Sequence, residues 1–242
     1  MRIAAKTDVG QVRLLNEDSY SVGELPGGFV WAVICDGMGG AVGGDIASRS
    51  AVQRISETVT SSFQEHMSSR SIKNLLVTAL DNANTYVFDL AEANESLTGM
   101  GTTVVAAIVN GRKACIAHAG DSRAYLLLGD ELLQLTKDHS VVQVMVDNGQ
   151  ITEDEARHHP RKNLITRVLG VAEAMEADYC EEELPHGSVL LLCTDGLTNC
   201  VEPEEFPALL RREGFSCFTE ELVALANERG GQDNITVVAI EI

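Results

Sequence analysis

Basic residues are scarce in this chain: 18 lysines and arginines stand against 36 aspartates and glutamates, a net charge of -18. Such a surface repels phosphate backbones, which argues against nucleic acid as a partner. Long hydrophobic runs are also missing. The longest, such as VLLLC at 189–193, are strand-sized and far short of the ~20 residues of a membrane-spanning helix, so no membrane partner is expected. The opening MRIAAKTDVG lacks a basic-then-apolar signal pattern, which points to a cytoplasmic location. None of the six cysteines forms a C-x-x-C pair, and Cys35, Cys115 and Cys193 lie inside apolar runs. They read as reduced core residues rather than disulfides or zinc ligands. Gly39, Gly40, Gly43 and Gly44 match neither G-x-G-x-x-G nor a Walker sequence, so they read as tight turning, not a nucleotide loop. Aromatics make up only 5%. What remains is an ordinary globular composition, 45% hydrophobic over 242 residues, enough for one domain spanning 1–242.

The hydrophobic pattern gives the element order. Phe29–Cys35 is a short, continuous apolar run and predicts a buried strand, preceded by a strand after Asp18. Val52, Ile55, Val59 and Phe63 then recur at helical spacing, as do Ile72, Leu75, Leu76, Ala79, Leu80, Ala83, Val87 and Leu90. Four strands follow closely, at Thr102–Val109, Arg112–Ala119, Ala124–Leu128 and Glu131–Leu135, with Asn110-Gly111 and Gly129-Asp130 as hairpin turns. Residues 138–148 and 152–157 predict helices, 176–183 and 188–194 strands, 203–212 and 218–229 helices, and Ile235–Ile242 a closing strand. This order lacks the regular alternation of a doubly wound parallel sheet. It predicts an α+β architecture, an α-β-β-α sandwich of two packed antiparallel sheets flanked by helices.

Four aspartates sit at the ends of apolar runs beside small or turn-forming residues: Asp36 in VICDGMGG, Asp121 in HAGDSRAY, Asp195 in LLLCTDGL and Asp233 in GGQDNITV. Asp-Gly alone is common hairpin chemistry. If the fold gathers all four, their mutual repulsion requires cations. Asp36-Gly37 offers a carboxylate and a closely approachable carbonyl, and oxygen donors without histidine or thiolate suit Mg²⁺ or Mn²⁺ rather than zinc. Arg13 in RLLNED carries the planar fork that matches phosphate oxygens, although an arginine beside acids such as Glu17 and Asp18 is more often a surface ion pair.

The set RLLNED, CDGMGG, GDSR, TDG and QDN, in that order, resembles the bacterial PPM-type (type 2C) protein serine/threonine phosphatases over residues 2–242. The resemblance implies a β-sandwich flanked by helices, with a flap segment at about 149–170. It implies that Asp36 bridges two Mn²⁺ or Mg²⁺ ions, with the Gly37 carbonyl and Glu17 on one and Asp195 and Asp233 completing the other. Asp121 would help hold a third ion with Asp195, while Asp18 and Asn234 would hold neighbouring waters. Arg13 would clamp the substrate phosphate, so Asp36, Asp195, Asp233 and Arg13 carry the chemistry. A water shared by the two ions would attack phosphoserine or phosphothreonine directly. Implied partners are phosphorylated proteins, including a serine/threonine kinase and its substrates, and the protein is expected to be a monomer.

One position departs from many eukaryotic members, which carry histidine after the Asp-Gly. Met38 stands here and cannot donate a proton, leaving a water near Asp121 as the candidate acid. Two other functions remain open: a non-catalytic phosphoprotein-binding regulator, and a phosphatase of small phosphate esters. The basic island RHHPRKN at 157–163 is either an attractor of acidic phosphopeptides or a solvated loop paired with nearby acids. His118 reads as a hydrogen-bonded core histidine, His139 as a capping or packing residue, and Glu181–Glu183 as a charged strand edge.

Overall fold

The computed structural model describes residues 1–39 and 43–242. The chain runs β1 (Arg2–Asp8), β2 (Asp18–Leu25), β3 (Phe29–Met38), α1 (Gly43–Ser62), α2 (Ser69–Ala93), β4 (Gly101–Thr102), β5 (Val104–Val109), β6 (Lys113–Ala119), β7 (Arg123–Leu128) and β8 (Glu131–Gln134). It continues with α3 (Val141–Asp147), α4 (Glu153–Arg157), β9 (Asp178–Glu183), β10 (Val189–Cys193), α5 (Asp195–Thr198), α6 (Phe206–Glu213), α7 (Phe215–Glu228) and β11 (Ile235–Glu241). One sheet has the order β1-β11-β10-β7-β8 and the other β2-β3-β5-β6-β9, with β4 pairing β3. Every pairing is antiparallel.

The central strands are apolar on both faces because both are covered. In β3, Trp31, Val33 and Cys35 pack with Ile55 of α1 and Leu76 and Leu80 of α2. The alternate residues Val30, Ala32 and Ile34 meet Leu190, Leu192 and Val238 of the opposite sheet. Beyond that sheet, Leu191, Val237 and Ala239 pack against Phe206 of α6 and Phe218 and Leu222 of α7. Three apolar layers therefore alternate with four structural ones, the α-β-β-α sandwich expected from the element order. Each buried leucine- or isoleucine-sized side chain contributes roughly 2 kcal/mol.

Several boundaries differ from the pattern. β1 has no clear signal in the sequence, because the alternation in RIAAKTD is weak. It is an edge strand, half-buried through most of its length, and owes its place to a seven-residue ladder with β11. The predicted strand from Thr102 breaks at Thr103, since Thr102 pairs with Leu169 in both directions while Thr103 N donates to Asp36 O. The helix predicted over 138–148 covers only 141–147. Ser140, not His139, is its cap, accepting from Gln143 N. The last helix starts at Phe215, three residues earlier than expected, because Gly214 (φ 71°) separates it from α6. The glycine cluster lies partly outside the described residues, which exclude Gly40.

Candidate metal centre

Antiparallel pairing explains why distant aspartates meet. β3, β6 and β10 end where β2, β7 and β11 begin, so Asp36, Asp121, Asp195 and Asp233 all fall at one end of the two sheets. Register places Asp18 opposite Asp36. Asp36 feels the charges of Asp18, Asp195, Asp121 and Asp233. Close approach needs missing side chains. A Cβ on Gly37 would lie 2.0 Å from Gly44 O and 2.7 Å from Glu17 O, and one on Gly196 would lie 1.9 Å from Asn234 O.

The loop ahead of β2 is tied to the segment leading into β11 by Gln11 N donating to Gly231 O at 2.7 Å and, most extensively, by the Asn234 side chain. Asn234 Nδ2 donates to Val9 O and Leu15 O, both at 2.9 Å, and its Oδ1 accepts from Glu17 N at 2.8 Å. That brings Arg13 to Asp233, with Nη2 2.8 Å from Oδ2. The ion-pair reading of Arg13 is thus realised, and it puts the guanidinium inside the acidic cluster. Asn234 therefore clamps the loop, a broader structural task than holding a water. Asp18 is buried; its Oδ2 accepts from Thr194 Oγ1 at 2.9 Å and Thr236 Oγ1 at 2.7 Å. Thr103 joins two turns: its Oγ1 accepts from Asp36 N at 3.0 Å and lies 2.8 Å from Ser122 Oγ.

The electrostatics fit a cation. Burial raises Asp18 to about 7, with Asp195 and Asp233 adding to it. Burial, then Asp195 and Asp138, raise Asp121 to about 8. Asp36 and Asp195 are pushed up by burial first and neighbouring carboxylates second. Glu17 is also raised by burial, against the pull of Arg13. Without cations these groups retain protons because so many carboxylates share one desolvated pocket. Glu17 Oε1 and Asp18 Oδ1 are buried with no hydrogen-bond partner among the described residues. An all-oxygen donor set with orphaned acceptors fits Mn²⁺ or Mg²⁺.

The family model "Protein phosphatase 2C" matches residues 10–237. This chain belongs to the protein phosphatase 2C family. The "Serine/threonine phosphatase stp" of Listeria innocua serovar 6a is 38% identical, covering 100% of this chain and 96% of that one. The solved serine/threonine phosphatase of S. agalactiae superposes with a TM-score of 0.93 at 34% identity, covering 100% of this chain and 99% of the other. A structure of the catalytic domain of the phosphatase PstP "in complex with 2 Manganese ions" has a TM-score of 0.84 and 33% identity, with 98% and 96% coverage.

Several residues of this phosphatase 2C chain that shape the pocket were not singled out from sequence. Thr103, Thr194 and Thr236 stand next to or near the motif aspartates but carry no signal as isolated threonines. Asp138 is held by Arg123 in a two-pronged pair, Nε to Oδ1 at 2.8 Å and Nη2 to Oδ2 at 2.7 Å. The basic island divides. Arg157 pairs with Glu202 at 2.6 Å, as a solvated loop would. Lys162 instead donates to Asn199 Oδ1 at 2.8 Å, and Asn199 Nδ2 donates to Asp195 Oδ2 at 2.9 Å, so this segment reaches the acidic cluster through one amide. His118 is buried, with Nε2 3.0 Å from Lys137 O. Glu181–Glu183 lie on β9, an edge strand. All six cysteines are free, and burial pushes the Cys193 thiol up to about 12. Among the described residues, no helix is long and apolar enough to cross a membrane.

Proposed function

We propose that this chain is a Mn²⁺- or Mg²⁺-dependent serine/threonine phosphoprotein phosphatase, with residues 1–242 acting as one catalytic domain. The observation that carries the reading is the gathering of Asp36, Asp121, Asp195 and Asp233 into one pocket where burial and mutual repulsion raise the first three. Asp36, Glu17, the Gly37 carbonyl, Asp195 and Asp233 would hold the paired ions. Asp121 would hold a third with Asp195. When bound, the ions would supply Lewis acidity and lower the pKa of water towards neutrality for direct attack on phosphorus.

The remaining work falls to this chain's own residues. Arg13, half-exposed and 2.8 Å from Asp233, would take two oxygens of the substrate phosphate through its planar fork. Asn234 keeps Arg13 and Glu17 in place through the loop, and Asp18 orders the threonines behind Asp36. Met38 has no proton to give, so the leaving alkoxide would take one from a water held at Asp121. The buried thiols have no part, since their raised pKa values keep them protonated. Phosphoproteins made by a serine/threonine kinase, and the kinase itself, are the proposed substrates of a monomeric cytoplasmic enzyme.

The test is phosphate release from a phosphothreonine peptide and from an aryl phosphate, each with Mn²⁺ and with EDTA. Turnover of the peptide that EDTA abolishes supports the reading. Activity on the aryl phosphate alone would assign small esters, and no turnover of either would assign a binding module.

A further inference from the structure

Outside the carboxylate pocket, His118, His139 and Asp178 offer ligand atoms within 4.8 Å of one another. By residue type the trio suits a transition metal. Its geometry does not. The two imidazoles are stacked, centroids 4.8 Å apart and planes 1° apart, and lone pairs lying in two parallel planes do not meet at one ion. A cation is already there: Arg167 Nη1 lies 2.8 Å from Asp178 Oδ1 and 3.3 Å from His139 Nε2. His118 Nε2 is bonded to Lys137 O, which leaves its Nδ1 without a partner among the described residues.

What this cluster grips is the turn that carries Asp121. His139 holds Gly120 twice. Gly120 N donates to His139 Nδ1 at 3.1 Å, and His139 N donates to Gly120 O at 2.9 Å. On its other side Gly120, at φ +111°, lies against Thr103, where a Cβ would come within 2.6 Å of the threonine Cβ. Thr103 is the residue bonded to Asp36 N. His139 Nε2 faces Asp178 Oδ2 at 3.2 Å. A proton on Nε2, directed at that carboxylate, leaves Nδ1 as the acceptor that Gly120 requires. His139 is itself buried, so its ring orientation is fixed by packing against His118.

We infer that His139 is a positioning residue for the Asp121 carboxylate, acting through the Gly120 amide, with Asp178 setting the imidazole tautomer. The inference rests on the reading of Asp121 as an ion ligand. Asp121 makes no contact of its own with His139 in this account; a loosened Gly120 would let the Asp121 carboxylate wander and weaken only the ion it holds.

The experiment is Mn²⁺ titration by calorimetry of the full chain and of Asp121→Asn, His139→Gln and His139→Asn. The asparagine places an oxygen near the Nδ1 position and can still accept from Gly120; the glutamine carries its amide towards the Nε2 position and cannot. His139→Gln should weaken the Asp121-dependent binding by roughly tenfold, as loss of one buried hydrogen bond does, and leave the tighter binding unchanged. His139→Asn should restore most of it. Equal Mn²⁺ binding by His139→Gln and the unaltered chain, where Asp121→Asn does weaken binding, overturns the inference alone. Mn²⁺ binding indifferent to Asp121→Asn overturns the Asp121 reading and the inference with it. Should His139→Gln fail to fold, hydrogen exchange of the Gly120 amide in the unaltered chain decides: strong protection supports the bond, and exchange at the rate of an open loop overturns it.

Discussion

The amide of Glu17 donates to the side-chain oxygen of Asn234 at 2.8 Å, across 217 residues of sequence. The same side chain donates to Val9 O and Leu15 O. This one amide group makes three of the bonds that hold the loop carrying Arg13 and Glu17, alongside Gln11 N to Gly231 O and Asn16 Nδ2 to Thr7 Oγ1. Asn234→Ala should cost roughly 2–4 kcal/mol, because three backbone groups lose their partner at once. Urea unfolding measures this, and a loss under about 0.5 kcal/mol would show that the loop is held by something else.

Asp195→Asn separates stability from function. Removing one charge relieves the repulsion that Asp195 shares with Asp233 and Asp36. The metal-free variant should melt no lower than the parent, while the gain in melting temperature on adding Mn²⁺ shrinks and turnover falls by at least ~100-fold. Calorimetry with and without Mn²⁺, alongside phosphopeptide turnover, checks both. Near-native turnover at modest Mn²⁺ would remove Asp195 from the ion-binding set.

Arg13→Ala should act on substrate rather than on the fold. Its side chain is 49% exposed and its pair with Asp233 is open to solvent, so the stability change should stay below about 1 kcal/mol. The KM for a phosphothreonine peptide should rise roughly tenfold, with a smaller change in kcat. An unchanged KM would leave Arg13 as a surface ion pair and nothing more.

The carboxylates also set a pH dependence with a definite sign. Burial raises Asp18 to about 7 and Asp121 to about 8 in the folded protein, against roughly 3.9 for an unfolded aspartate. Between about pH 4 and 8 the folded chain therefore binds more protons than the unfolded one, and stability falls as pH rises through that window. In EDTA the melting temperature should drop from about pH 5 to 8. Mn²⁺ competes with those protons, so its stabilising effect should grow over the same range. A metal-free melting temperature that climbs instead would contradict the raised pKa values.

Much of this was legible in the sequence for physical reasons. The three apolar layers were readable because strands covered on both faces must be continuously hydrophobic, as Phe29–Cys35 and Val189–Cys193 are. The long helices α1 and α2 showed their buried stripes directly. The edge strand β1 was hidden because its place depends on pairing with β11 and not on its own pattern. Arg13 carried two readings until the fold put it beside Asp233. Thr103 and Asn234 act through backbone groups of distant segments, which no local spacing reveals. Ser140 caps α3, and His139 instead packs against His118 and holds Gly120, a long-range contact that its local sequence does not signal.

The most direct test of the central claim is a crystal grown with Mn²⁺ and measured at the manganese absorption edge. At least two anomalous peaks, a few ångströms apart, are expected in contact with Asp36, Asp195 and Asp233. Peaks at His118, His139 and Asp178, or a carboxylate pocket without any, would contradict it.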